Sequence, residues 1–311
     1  MKNQNLKHMK YLIVKVSKRV IPHRWRMKLI GQYQGLLHWW RYDDPYFPHT
    51  ICLEVSAFCN RTCHYCPNSL HKTPLAFMPE DLFLLCLKRL EEMKWAGPVD
   101  YNFYNEPTLD KRLPRLVSLT REHVPRAMPR IMSNGDVLTE AYMQELITAG
   151  VINFSVTRHP PFKAEWDERM ERLKRRYPAY ITVNEIWKRA NNSNRGGAMA
   201  IENYQPLTSC LAPSASLNIL RNGDVVLCCS DYHRENRFGN IREKTILEIW
   251  NNPAFRQVRE EVRKGQPRLA ICKQCFGDSE GKAAASSGVQ AERSGNRHGH
   301  EMEVAVASAS A

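Results

Sequence analysis

Three cysteines crowd into one short run, Cys59-Asn60-Arg61-Thr62-Cys63-His64-Tyr65-Cys66. Thiolates at spacings of four and three in a single loop are ligands for soft metals. An iron–sulfur cube has four irons, so a loop offering three thiolates leaves one iron open to a ligand from outside the chain. The same thiols with His64 or His71 also make a zinc donor set. Disulfides fit poorly, because three closely spaced cysteines cannot all pair.

A second set lies further along, at Cys210, Cys228, Cys272 and Cys275. Asn222-Gly223 stands between two alternating apolar runs, 216–220 and 225–227, which predicts a hairpin. That hairpin brings Cys210 and Cys228 near one another. A helix over about 246–264, interrupted by Pro253, leads to Cys272-x2-Cys275. Four thiolates can enclose a metal site, and a structural zinc satisfies this spacing as well.

These residues need elements to position them. From residue 50 to about 186, strands alternate with helices, the pattern of a parallel sheet with crossover helices. Strands are predicted over 50–56, 99–104, 130–133, 152–157 and 180–187. Apolar helical stripes run over 79–94, over a helix capped by Thr139 and ended by Gly150, and through Trp166, Met170, Leu173 and Tyr177. Cys86 falls on the first stripe and reads as core. In the first strand Ile51, Leu53 and Val55 alternate with Cys52, Glu54 and Ser56, and the polar set is predicted to face a barrel interior. Ligand-binding residues in such sheets gather at the C-terminal ends of the strands. The cysteine run, Asn105-Glu106-Pro107 and Ser133-Asn134-Gly135 all fall there. Asn194-Arg195-Gly196-Gly197 follows in a turn-rich region, and the planar fork of Arg195 suits a bound carboxylate.

Cys-x3-Cys-x2-Cys with Tyr65 just before the last cysteine, straight after a first strand, resembles the radical SAM superfamily. The resemblance implies an α/β fold, a partial (β/α)6 TIM-like barrel, of which five strands can be counted in the sequence. It implies a [4Fe-4S] cluster on Cys59, Cys63 and Cys66, its open iron chelated by the amino and carboxylate groups of S-adenosylmethionine (SAM). Asn105-Glu106-Pro107 matches, by Glu106-Pro107 and by strand position, the Gly-Gly-Glu-type motif that holds the SAM amino group, although the glycines are lacking. Ser133-Asn134 is similar to the stretch that contacts the SAM ribose or carboxylate. Tyr65 and Arg195 complete the implied SAM-side contacts.

Cys210, Gly223 before Cys228, Asp231, Gly239-Asn240, Ile249-Trp250 and Cys272-x2-Cys275 resemble a SPASM or twitch extension, a small α+β unit with an auxiliary [4Fe-4S] cluster. No cysteine follows Cys275, so the truncated twitch form fits better, with Cys210, Cys228, Cys272 and Cys275 as ligands. The implied organisation is a basic amphipathic extension at 1–47, a radical SAM core at 48–205, the auxiliary domain at 206–280 and a disordered tail at 281–311. The tail has no Phe, Tyr or Trp with which to bury surface.

The chemistry implied is reductive cleavage of SAM to a 5′-deoxyadenosyl radical, then removal of a hydrogen atom from a small-molecule substrate. Loss of a further proton and electron makes a dehydrogenase, as in the aminocyclitol dehydrogenases that share the twitch pattern. Return of a hydrogen atom makes an epimerase, for which Cys229 and Cys52 are the candidate donors. A sugar or aminocyclitol is the expected substrate. The alternatives are maturation of a ribosomally made peptide and, in another class, a zinc-stabilised basic binding protein.

Bulk properties narrow the partners. The formal net charge is +13, and residues 1–41 carry ten Lys or Arg with no Asp or Glu. Apolar residues are interleaved there, so the segment suits either an anionic membrane surface or a covering lead-in. No nucleic-acid motif accompanies the charge. No apolar run approaches the ~20 residues of a spanning helix, and ten cysteines without an export signal point to a reducing, cytoplasmic setting. A flavodoxin or ferredoxin is the expected electron donor.

Overall fold

A computed structural model of the chain describes residues 42, 44, 47–71, 75–185, 193–201 and 204–277. The basic segment 1–41, the predicted strand beyond 185 and the tail 281–311 lie outside the described residues.

Eight strands form one open sheet: β1 Thr50–Leu53, β2 Pro98–Asp100, β3 Met128–Ser133, β4 Asn153–Thr157, β5 Ile181–Asn184, β6 Ser216–Ile219, β7 Asp224–Val226 and β8 Arg237–Asn240. Their spatial order is β5-β4-β3-β2-β1-β6-β7-β8. All pairings from β5 to β6 are parallel, and β7 and β8 continue antiparallel. Four helices cross between the first five strands: α1 Glu80–Glu92, α2 Leu113–His123, α3 Glu140–Ala149 and α4 Ala164–Arg176. Beyond them come α5 Ala212–Ala215, α6 Ile246–Trp250, α7 Pro253–Arg263 and α8 Ala270–Cys275.

The sixth parallel strand comes from the predicted hairpin. β6 pairs with β1 from Thr50↔Ser216 to Leu53↔Ile219, so the expected boundary at 205–206 divides a continuous sheet. Other differences are local. β1 stops at Leu53, where the Val55 N–H turns back to the Leu53 carbonyl. β2 ends at Asp100 because the Asn105 side chain accepts from Phe103 N–H and donates to the Tyr101 carbonyl, closing a loop. The predicted helix over 246–264 is two helices, with Asn252 capping the second. The helix α2 went unanticipated; Leu113, Leu116, Val117 and Thr120 form its buried stripe.

Alternation along the strands sorts the two faces of the sheet. Ile51, Leu53, Val99, Ile131, Phe154 and Leu217 are fully buried on the apolar face. The other face carries Thr50, Cys52, Asp100, Arg130, Ser155 and Asn218, with Arg130 donating to Asp100 at 2.9 and 2.7 Å and to Thr50 at 3.2 Å. A parallel sheet normally buries both faces in apolar residues. A polar face at the centre of this one is therefore reserved for a ligand.

The residues just before β1 fasten both halves together. Phe47 is fully buried and packs on Trp95 and Trp250, at ring separations of 6.2 and 5.4 Å. Trp250 Nε1 donates to Asp44 at 2.8 Å.

Candidate active site

The cysteine run follows β1 as expected and is held by loops that follow β3 and β4. Arg61 Nε donates to Asp136 Oδ2 at 2.7 Å, and Arg61 Nη2 to Oδ1 at 2.5 Å. Arg61 also reaches the His159 carbonyl at 3.2 Å. Burial pulls the Asp136 carboxyl upward, but the Arg61 guanidinium prevails and holds it below the usual aspartate range. Asn134 Nδ2 donates to Asn60 at 2.8 Å and lies 4.0 Å from Cys59 Sγ. The Tyr65 hydroxyl pairs with His159 Nδ1. Burial, with Arg61 adding to it, drops the His159 pKa to about 4, so this imidazole is neutral at physiological pH.

The expected SAM-side residues converge on the same place. The Glu106 N–H donates to the Phe58 carbonyl at 2.9 Å, next to Cys59. Its carboxylate is 3% exposed and accepts from Thr108 N–H and Oγ1, Ser133 Oγ and Asn134 N–H, at 3.1, 2.5, 2.8 and 2.7 Å. Burial still pushes its pKa above the ordinary glutamate value. Oε1 takes three of those bonds and Oε2 only the Asn134 N–H, so Glu106 fixes the backbone at Asn134 while Oε2 keeps acceptor capacity. Asn105 Nδ2 donates to Ser56 at 3.0 Å, tying the loop after β2 to the end of the first strand. Pro107 opens the buried turn behind it.

The second set meets in one cavity of about 230 Å³, lined by Cys210, Cys228, Cys272 and Cys275 together with Cys229 and Arg195. Cys272 and Cys275 arrive on α8 rather than on a loop. The turn at Arg195–Gly197 is packed against that helix. A Cβ at Gly196 (φ +67°) would lie 2.4 Å from Ile271 Cγ1, so only glycine permits this approach. Asn194 Nδ2 donates to the Gln274 carbonyl at 2.7 Å. The Arg195 turn is thus fixed, not a free loop.

The donor chemistry fits clusters. Cys210 Sγ accepts from Ala212 N–H and Cys228 Sγ from Ser230 N–H, each at 3.4 Å. At Cys59 and Cys66 the backbone N–H groups of Arg61 and Asn68, two residues on, oppose the upward pull of burial on the thiols. Such donors stabilise thiolates, the ligating form. Burial pushes the thiol pKa of Cys59 and Cys275 up to about 11 and of Cys272 to about 12, so ligation must release protons. Among the described residues no group of His, Cys, Asp and Glu is gathered to hold a single metal ion. A water needs only about 10–15 Å³ of such space, and 230 Å³ is room for a group of many atoms. The size of the cavity favours a cluster of several atoms over a single zinc ion at these thiols.

The two sets are neighbours. Burial raises the thiols of Cys66 and Cys275, and the positive charge of Arg195 opposes it at both. Tyr104, passed over in the sequence, stands between the sets and donates to the Cys229 carbonyl at 2.6 Å. Glu54, 1% exposed, joins the end of β1 to the hairpin: it accepts from Arg234 Nη2 at 2.6 Å and Arg221 N–H at 3.1 Å. The only sequence signals for these residues were a tyrosine beside Asn105 and an acid among apolar neighbours. Cys52 is half-buried on the polar face, Cys86 is core, and the exposed Cys229 borders the second cavity.

Comparison with known proteins matches residues 210–276 to SPASM, an iron–sulfur cluster-binding domain. The S-adenosyl-L-methionine-dependent 2-deoxy-scyllo-inosamine dehydrogenase of Niallia circulans is 34% identical over 235 residues, 72% of this chain and 91% of that protein. The crystal structure of BtrN in complex with AdoMet and 2-DOIA superposes with a TM-score of 0.65 at 33% identity, over 70% of this chain and 88% of that one. Native anSMEcpe with bound AdoMet gives 0.52 at 14% identity, over 71% and 84%, a likeness of fold alone.

Proposed function

From the premise that this chain belongs to the radical SAM superfamily, as an enzyme with a SPASM-type auxiliary cluster domain, we propose that it oxidises a ring carbinol of an aminocyclitol to the ketone. Its cofactors are [4Fe-4S] clusters and S-adenosylmethionine. When bound, these supply a 5′-deoxyadenosyl radical that removes a hydrogen atom, and an acceptor for the electron that leaves the substrate. The carbinol carbon gives up that hydrogen atom, its hydroxyl oxygen then gives up a proton and the radical an electron, and a C=O bond forms. The observation that carries the reading is the adjacency of the two cysteine sets across Tyr104, whose carbonyl accepts from Asn68 near Cys66 at 2.7 Å and whose hydroxyl donates to the Cys229 carbonyl beside Cys228 at 2.6 Å. A substrate held between them lies beside both.

In this reading Cys59, Cys63 and Cys66 hold the SAM cluster, and Cys210, Cys228, Cys272 and Cys275 saturate the auxiliary one. Tyr65, Asn105, Glu106, Pro107, Ser133 and Asn134 form the SAM wall, and Glu106 also orders its backbone. Arg195 faces the substrate space, where its fork suits an oxygen that is losing a proton. The Asp100–Arg130 pair and Asn218 offer donors and acceptors to ring hydroxyls and an amine. A flavodoxin or ferredoxin supplies the electron, and residues 1–41 serve as a basic lead-in whose composition would also suit an anionic membrane surface. The working domains are 48–205 and 206–280, following the lead-in 1–47 and before the tail 281–311.

One observation favours epimerisation as a second reading. Cys229 presents an exposed thiol at the rim of the second cavity, placed to return a hydrogen atom; Cys52 is the alternative donor.

Turnover of 2-deoxy-scyllo-inosamine and related aminocyclitols under anaerobic reducing conditions tests the proposal. Mass spectrometry should find a ketone formed in step with 5′-deoxyadenosine. In a Cys272→Ala/Cys275→Ala variant, checked for folding by circular dichroism, SAM cleavage should persist while ketone is lost. A product that gains solvent deuterium at an unoxidised carbon, and loses it in Cys229→Ala, would replace oxidation by epimerisation.

A further inference from the structure

A line of hydrogen bonds runs from the loop of one cysteine set to a sulfur of the other. Asn68 lies two residues beyond Cys66. The Asn68 side chain donates to the Tyr104 carbonyl at 2.7 Å. The Tyr104 hydroxyl donates to the Cys229 carbonyl at 2.6 Å. That carbonyl and the Ser230 N–H belong to one peptide group, and this N–H donates to Cys228 Sγ at 3.4 Å.

The middle of the line is held rigidly. The Tyr104 ring meets Phe103 and Tyr232 edge to face, with centroids 4.9 and 4.8 Å apart. Burial keeps the hydroxyl protonated across all working pH, so it remains a donor. Donation to a peptide carbonyl polarises the group and makes its own N–H a stronger donor. Hydrogen bonds to cluster sulfurs are one of the levers on reduction potential. A stronger N–H donor favours the more negative, reduced state and so raises the potential.

We propose that Tyr104 is a positioning residue that tunes the auxiliary cluster. Its hydroxyl strengthens the Ser230–Cys228 hydrogen bond, and its backbone anchors that tuning to the loop of the SAM cluster through Asn68. The inference rests on the reading that both cysteine sets hold clusters. It concerns the protein's own hydrogen bonds, whichever substrate is turned over.

The test is a redox titration of the reconstituted full-length protein, followed by electron paramagnetic resonance. Three forms are compared: the wild type, Tyr104→Phe, and protein carrying fluorotyrosine at position 104, whose hydroxyl is a stronger donor. The auxiliary midpoint should move to more negative potential in Tyr104→Phe and to more positive potential with fluorotyrosine. The SAM-cluster midpoint and the thermal unfolding midpoint should stay in place. Two clusters with an unmoved auxiliary midpoint overturn the inference and leave the cluster reading intact. So do shifts of the same sign in both variants, which packing alone would produce. Iron and sulfide sufficient for only one cluster overturn the cluster reading and the inference with it.

Discussion

Asp136→Asn isolates the clamp on the cysteine run. The pair it breaks is bidentate, at 2.7 and 2.5 Å, with the Arg61 and Asp136 side chains 13% and 25% exposed. Exposed ion pairs contribute about 0.2–1 kcal/mol. Removing one partner of a fully buried pair costs about 3–5 kcal/mol. This pair lies between those limits, and asparagine, which keeps one oxygen for Arg61 Nε and Asn60 Nδ2, loses the charge and the bond from Arg61 Nη2, so about 2 kcal/mol is expected. Global unfolding should then fall by about 4–8 °C, at roughly 2–4 °C per kcal/mol for a domain of this size. If the cost is local to the cysteine loop, its open population rises about 30-fold, since 1.4 kcal/mol is tenfold. The assay is loss of visible cluster absorbance under an iron chelator, with excess SAM absent. Bleaching of the SAM-type cluster should accelerate by about that factor, while the auxiliary cluster, which Asp136 does not touch, bleaches at its wild-type rate. A lowered unfolding temperature with unchanged bleaching would show that the clamp supports the fold but not the loop. The same pair gives an acid limb. An aspartate held below its usual value contributes stability that is present above the unfolded pKa and is lost as pH falls through the folded one. The difference between wild type and Asp136→Asn should therefore shrink below about pH 4.

Cys63→Ala should abolish 5′-deoxyadenosine formation and lower bound iron by about half, on the expectation that thiolates hold each cluster; undiminished cleavage would refute the ligand assignment. Glu54 behaves oppositely to Asp136. Burial holds its carboxyl above the usual value despite Arg234 and Arg221, so its protonated form favours folding and that contribution is lost as pH rises through the folded pKa. A Glu54→Gln variant should show a flatter stability profile from the ordinary glutamate range upward, and an unchanged slope in chemical denaturation across that range would contradict it. If residues 1–41 bind a membrane surface, the protein should sediment with anionic vesicles at low salt and be released at high salt; no sedimentation at low salt would make the segment a covering lead-in.

What the sequence made legible followed from local pattern. Cysteine spacing marks both ligand sets because cluster ligands cluster along the chain, and Asn222-Gly223 marks its hairpin because the turn requires Gly223 at φ +90°. Thr139 and Gly150 bound α3 as read, through the Thr139 cap on Tyr142 N–H and the positive φ of the glycine. What stayed hidden was nonlocal. No window contains both Arg61 and Asp136, 75 residues apart, or Glu54 and Arg234, 180 apart. β6 looked like half of a hairpin because its antiparallel partner is adjacent in sequence, whereas its parallel partner β1 is far away. Asn105-Glu106-Pro107 was found by strand position, but that Glu106 points inward to four donors could be seen only in the fold.

The parallel pairing of β1 with β6 has a consequence for how this enzyme can vary. Backbone register, not side-chain docking, sets how far the hairpin carrying Cys228 stands from the strand leading to Cys59. A slip of one residue would displace it by about 3.3 Å and turn every side chain of β6 to the wrong face. The connection from Asn184 to Ser216 does not set that register, but it carries the Asn194–Gly197 turn and the stretch from Tyr204 to Cys210 that is bonded to α7 and α8, so neither can shift without disturbing the second cavity. Transplanting the C-terminal third alone would strip β1 of its neighbour and leave Ile51 and Leu53 on an open edge, a template for aggregation. The ruler between the two cofactor sites is the sheet itself, and it is inherited whole.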